Sequence, residues 1–173
     1  MKKTYIKTIP EFYDTYIALV DSNTDIIEAL QETMTIFDTH FDILSSNGNY
    51  RYAPQKWTLK EVLQHIVDTE RIFSYRALAI SRLEQQPLVS FDENMYAKNA
   101  YANNRSVEDI LREYKLVRQA TIALFGSFND TVWHIEGNCA SKKISVLAAG
   151  FIMTGHAIHH VNVMKTRYFS NIT

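Results

Sequence analysis

The chain has 173 residues, 46% hydrophobic and 21% charged, with five glycines and three prolines. That composition builds one globular domain over residues 1–173 and excludes a disordered or fibrous chain. Its 18 basic and 19 acidic side chains leave a formal charge of −1, which excludes a nucleic-acid binder that works through a strongly basic face. The lone Cys139 excludes an intrachain disulfide framework and fits a cytoplasmic protein. Neither a secretory signal core nor an apolar run of the ~18 residues needed to span a membrane is visible.

The first strong helical period runs from about Thr24 to Leu44, carried by Ile27, Leu30, Met34, Phe37 and Phe41. The breaker cluster Ser45-Ser46-Asn47-Gly48-Asn49 ends it. Thr58-Leu59-Lys60-Glu61 has the form of a capping box, so a second helix starts there and continues to about Leu83. Val62, His65, Ile66, Thr69, Ile72 and Phe73 share one face of it, which points His65 towards the core.

The stretch from Gln85 to Asn104 has weak periodicity and reads as a long ordered loop across one end of the molecule. Asp92, Glu93, Asn94 and Tyr96 in it are placed to reach the mouth of a pocket. Ser106 starts a third helix that Val107, Ile110, Leu111, Tyr114, Val117, Ile122 and Phe125 carry to about Gly126. Asn129 to Lys142 is irregular or briefly extended. A fourth helix runs from near Ser145 to about Tyr168, with Ala149, Ile152, Met153, His156, His160, Val163 and Arg167 along one side. Four helices of this length predict an all-α four-helix bundle.

His156 and His160 are four residues apart on an apolar segment, so both imidazoles can aim at one point, and His65 can add a third nitrogen from a facing helix. The plain alternative is a set of core histidines hydrogen-bonded to their neighbours. Two imidazoles side by side among Ala, Ile, Met and Val both need partners, and one divalent metal supplies both. Three neutral nitrogens leave a coordination position open, the pattern of a catalytic site. A zinc-protease motif is excluded, because Ala157 stands where the general-base glutamate belongs. His159 lies round the helix from the pair and reads as a supporting or surface residue; His40 and His134 read as structural or exposed. Asp68 is the candidate catalytic residue, placed to orient an imidazole or accept a proton, against the alternative of a solvated charged face. Glu70 and Arg71 read as surface or interhelix ion pairs.

Trp57-Thr58-Leu59-Lys60-Glu61-Val62-Leu63-Gln64-His65-Ile66-Val67-Asp68-Thr69-Glu70-Arg71 with Tyr75-Arg76, together with Gly155-His156-Ala157-Ile158-His159-His160, resembles the DinB/YfiT-like superfamily. Tyr50-Arg51-Tyr52, Phe91-Asp92-Glu93 and Val117-Arg118-Gln119-Ala120-Thr121 resemble one branch of it. The resemblance implies a four-helix bundle of the DinB/YfiT type, often a homodimer, with a divalent metal on one histidine of the second helix and an HxxxH pair of the last. Those positions map onto His65, His156 and His160. Many relatives carry an acidic residue where this chain has Ala157, so no base is carried over there. The superfamily includes enzymes acting with low-molecular-weight thiols and others described as metal-dependent hydrolases, and the fold does not choose between them.

Three functions therefore stand side by side. The first is a metalloenzyme whose three histidines hold zinc, nickel or iron, all suited to imidazole, with the metal activating water or a low-molecular-weight thiol against a small-molecule substrate. The second is a non-catalytic dimeric helical bundle, an interaction module. The third is nucleophilic catalysis by Cys139.

Overall fold

In the computed structural model, which describes residues 1–172, a short helix α1 (Asp14–Ala18) precedes the bundle. The segment expected as one helix from Thr24 to Leu44 is two, α2 (Ile26–Glu32) and α3 (Phe41–Asn47), joined through 3₁₀ turns at Thr33–Thr35 and Asp38–His40. The break follows from where its carbonyls go. Leu30 O accepts a hydrogen bond from Arg118 Nη1 at 3.2 Å, and Thr33 O accepts one from the Tyr114 hydroxyl at 2.7 Å. Two side chains from elsewhere thus satisfy groups that a continuing helix would bond internally.

α4 (Leu59–Ser81) starts at the predicted capping box, with Thr58 Oγ1 accepting from Glu61 N at 3.2 Å and Glu61 Oε2 from Thr58 N at 2.7 Å. It ends at Leu83, which takes the left-handed conformation (φ 63°) that more often falls to glycine. The expected loop from Gln85 to Asn104 holds a further helix, α5 (Glu93–Asn99), capped by the Asp92 carboxylate, which accepts from Asn94 N at 2.9 Å and Met95 N at 3.0 Å. Only Ala97 of α5 is buried, so no apolar period announces it.

α6 (Val107–Gly126) and α7 (Val146–Val163) start at Ser106 and Ser145, whose hydroxyls accept from Asp109 N and Ala148 N. Between them an antiparallel hairpin, β1 (Glu136–Cys139) and β2 (Lys142–Ser145), pairs Glu136 with Ser145 and Cys139 with Lys142. The α-helix of α7 stops at Val163, short of the expected Tyr168, and continues as a π-helical turn over Met164–Tyr168.

α4 packs between α6 and α7, and α2 closes the ring against the same two helices. Round the bundle the order is therefore α2, α6, α4, α7, so the second and fourth long segments are neighbours. This order brings His65 beside His156, 91 residues later. α1 lies along α7.

The core divides in two. One apolar cluster, at the hairpin end, includes Ile26, Leu30, Phe73, Ile80, Phe125 and Phe151; the other includes Phe37, Leu63, Ile66, Ile110, Tyr114 and Val161. Between them each helix contributes buried polar side chains: Thr33 after α2, Thr69 and Glu70 on α4, Arg118 and Thr121 on α6, Thr154 and His156 on α7. No helix among the described residues is long and apolar enough to cross a membrane.

Candidate metal centre

The three histidines singled out by spacing meet at one end of this polar layer. His65 Nε2 lies 3.1 Å from His156 Nε2, and His160 Nε2 lies 3.0 Å from the same atom; one ligand nitrogen from each falls within 4.8 Å of the others. His156 and His160 are successive turns of α7, and α4 supplies His65 opposite them. His65 and His156 are 7% and 5% exposed, so the convergence is shielded from bulk water.

Burial holds all three imidazoles neutral. It pushes His65 down to about 4 and His160 down to about 3, where the neighbouring His65 and His159 add to the effect, and it holds His156 well below the usual imidazole range. A neutral imidazole offers one lone pair and one N–H. His156 Nε2 therefore cannot satisfy both neighbours at 3.0–3.1 Å, and a shared proton is disfavoured by the same burial. A cation at the meeting point resolves the conflict. Metal–imidazole bonds of about 2.0–2.1 Å set adjacent nitrogens roughly 2.9–3.4 Å apart for angles from a right angle to tetrahedral. The donor set and spacing fit a borderline transition metal rather than Mg²⁺ or Ca²⁺, which take oxygen ligands.

The surroundings of the imidazoles are aromatic. Trp57 packs on His65 with ring centroids 4.8 Å apart, and the hydroxyl of Tyr168, in the π-helical turn, donates to Trp57 O at 2.8 Å. On the other side Tyr16 of α1 meets His156 edge to face at 5.3 Å and His159 at 5.1 Å. α1 comes this close because residue 155 is glycine: a Cβ there would stand 2.0 Å from Tyr16 O. His159 is half-buried beside Tyr16 and outside the three-nitrogen cluster.

The candidate Asp68 sits elsewhere. Its carboxylate accepts from Gln64 Nε2 at 3.0 Å, Gln64 Oε1 accepts from Arg105 Nη1 at 2.6 Å, and the group faces a cleft of about 470 Å³ with Arg71, Tyr96 and Asn99. None of the three histidines lines that cleft. Burial raises the Asp68 carboxyl, and the Gln64 hydrogen bond acts against it. Of the residues placed at the pocket mouth, Asp92 is occupied as the α5 cap, Tyr96 lines the Asp68 cleft, and Glu93 lies close enough to Tyr16 for its charge to be felt there. Cys139 is 2% exposed and burial pushes its thiol up, the reverse of an activated nucleophile. His40 packs against Phe169.

Glu70 and Arg71 both form interhelix ion pairs, as expected for them, but that of Glu70 lies in the core: Arg118 Nε and Nη2 donate to its two oxygens at 2.7 and 2.8 Å with both side chains buried. Arg71 pairs with Glu113. Sequence reasoning left two features unassigned, a pair of unpartnered buried atoms and Tyr16. Two buried polar atoms among the described residues lack a partner, Thr69 Oγ1, one turn along α4 from His65, and His160 Nδ1. Tyr16 carried no signal, because its place depends on the contact with Gly155.

Comparisons with known proteins bear on the fold and the family. No curated protein matches the chain. The solved structure of YfiT from Bacillus subtilis, described as a probable metal-dependent hydrolase with an unusual four-helix bundle topology, is similar in fold at a TM-score of 0.67 and 15% identity. The match covers 92% of this chain and 87% of that one. The DinB superfamily matches residues 18–164, a span that contains all three histidines and every long helix of the bundle, and the chain belongs to that superfamily.

Proposed function

We propose that this protein is a metal-dependent enzyme whose His65, His156 and His160 hold one divalent transition metal ion, of zinc, nickel or iron type. The observation that carries the reading is the meeting of three neutral, shielded Nε2 atoms at spacings a single cation satisfies. Bound there, such an ion lowers the pKa of water or a thiol and so provides a nucleophile at neutral pH. The chain's own side chains do the rest: Trp57 and Tyr16 wall the opening and restrict water, and the π-helical turn fixes Trp57 through Tyr168. Asp68, held by Gln64, opens on a separate cleft that none of the three histidines lines, so no proton transfer at the metal is assigned to it.

Hydrolysis is the first branch, supported by the description of YfiT; transfer of a low-molecular-weight thiol to an electrophile is the second. Elemental analysis of untagged wild type and His160→Ala decides the metal: about one equivalent in the wild type and none in the variant is expected. Loaded protein is then assayed on esters and amides without thiol, and on a thiol with an electrophile. Asp68→Asn, in the separate cleft, is expected to leave both metal content and the turnover of the loaded protein unchanged.

A non-catalytic dimeric bundle is the second reading. It is favoured by the solvent-facing Tyr75, Leu78 and Leu116, which edge an apolar cleft between α4 and α6. A homodimer by sedimentation velocity, with no metal after reconstitution, selects it.

A further inference from the structure

α1 is a five-residue helix, far too short to be stable by itself, yet it is held at many points. Lys3 Nζ donates to Ile17 O at 3.2 Å and also to Val20 O, satisfying carbonyls at its end. Lys142 Nζ donates to Glu11 O at 3.0 Å just before it. Phe12, at its entry, takes φ 78°, a left-handed conformation that costs a bulky residue about 1–3 kcal/mol and persists only where surroundings impose it. The backbone of Tyr16 rests on Gly155, where any other residue would collide with it.

These anchors hold α1, and with it Tyr16, in place. The Tyr16 backbone lies at the level of Gly155 and its ring lies on His156 and His159, so the side chain runs along α7 towards the turn that carries His160. Tyr16 is half-buried, its hydroxyl makes no hydrogen bond among the described residues, and Glu93 is the charged neighbour that acts on it. Trp57, on the other flank, has its ring against His65.

We propose that the Tyr16 hydroxyl is a hydrogen-bond donor to a small anionic ligand seated beside the three imidazoles, so that α1 supplies a ligand-binding residue of the centre. The inference rests on the three-histidine metal reading, and it assigns the ligand class: an anion with an acceptor directed towards α1. A tyrosine that served only as a wall would act equally well as phenylalanine.

The test uses Co²⁺ as the metal and azide as the anion, with the visible d–d absorption of the loaded protein as readout. Wild type and Tyr16→Phe are each titrated with Co²⁺ and then with azide. The expected result is one Co²⁺ bound with equal affinity by both, and azide bound about tenfold more weakly by Tyr16→Phe, the size of one hydrogen bond to a charged acceptor. Equal azide affinity in the two loaded proteins overturns the role of Tyr16 and leaves the metal centre standing. Absence of a stoichiometric cobalt band in the wild type overturns the three-histidine reading and this inference with it.

Discussion

Glu70 and Arg118 occupy the same buried layer as the imidazoles, and their two-point contact makes each dependent on the other. Removing one partner strands a charge in the core, which costs about 3–5 kcal/mol, whereas replacing both with apolar residues of similar volume is close to neutral. Arg118→Met should therefore lower the urea midpoint strongly, and Glu70→Leu with Arg118→Met should recover most of the loss. The histidines make a pH prediction at the same scale. In the unfolded chain they take up protons through the ordinary range near 6.5, while in the fold His65 waits until about 4 and His160 until about 3. The unfolded state thus binds more protons below pH 6.5, and the stability of the metal-free protein is full above that range and is lost as pH falls through it. The slope is up to about 1.4 kcal/mol per pH unit for each such imidazole. Urea denaturation of chelator-treated protein should give a lower midpoint at pH 5 than at pH 7.5, with a smaller difference in His65→Ala.

At the scale of elements, the boundaries of α4, α6 and α7 were legible because capping is local chemistry: Thr58 with Glu61, Ser106 and Ser145 act within one turn of themselves. The His156/His160 pair was legible for the same reason, since four-residue spacing on an apolar face is a property of a single helix. The break after α2 was not, because Arg118 and Tyr114 cause it from another helix. Nor was the buried state of Glu70, whose partner lies 48 residues away. α5 escaped because it turns almost no apolar surface inward. The contact between α1 and α7 yields a prediction of its own. Gly155→Ala places a methyl against Tyr16 O, and unlike a flexible side chain a backbone carbonyl cannot step aside. We expect about 1–3 kcal/mol of destabilisation, the usual cost of overpacking, with the loss of amide hydrogen-exchange protection concentrated in residues 14–18.

Across the whole molecule the three-histidine cluster joins α4 to α7 within a ring whose spatial order differs from chain order. A ligand that binds only the folded state stabilises it by mass action, about 2.7 kcal/mol at a free concentration a hundred times its Kd. The melting temperature should therefore rise with added metal in the wild type and stay fixed in His156→Ala, as differential scanning calorimetry would show. The pairing of two helices so distant in sequence also sets when the centre can come into being. During synthesis His65 emerges 91 residues ahead of His156. A nascent chain therefore presents at most a single imidazole of the set until α7 is made. On the proposed metal reading, capture of an ion by the complete triad is a late, post-assembly event, and selection among metals falls to the folded protein rather than to an open polypeptide.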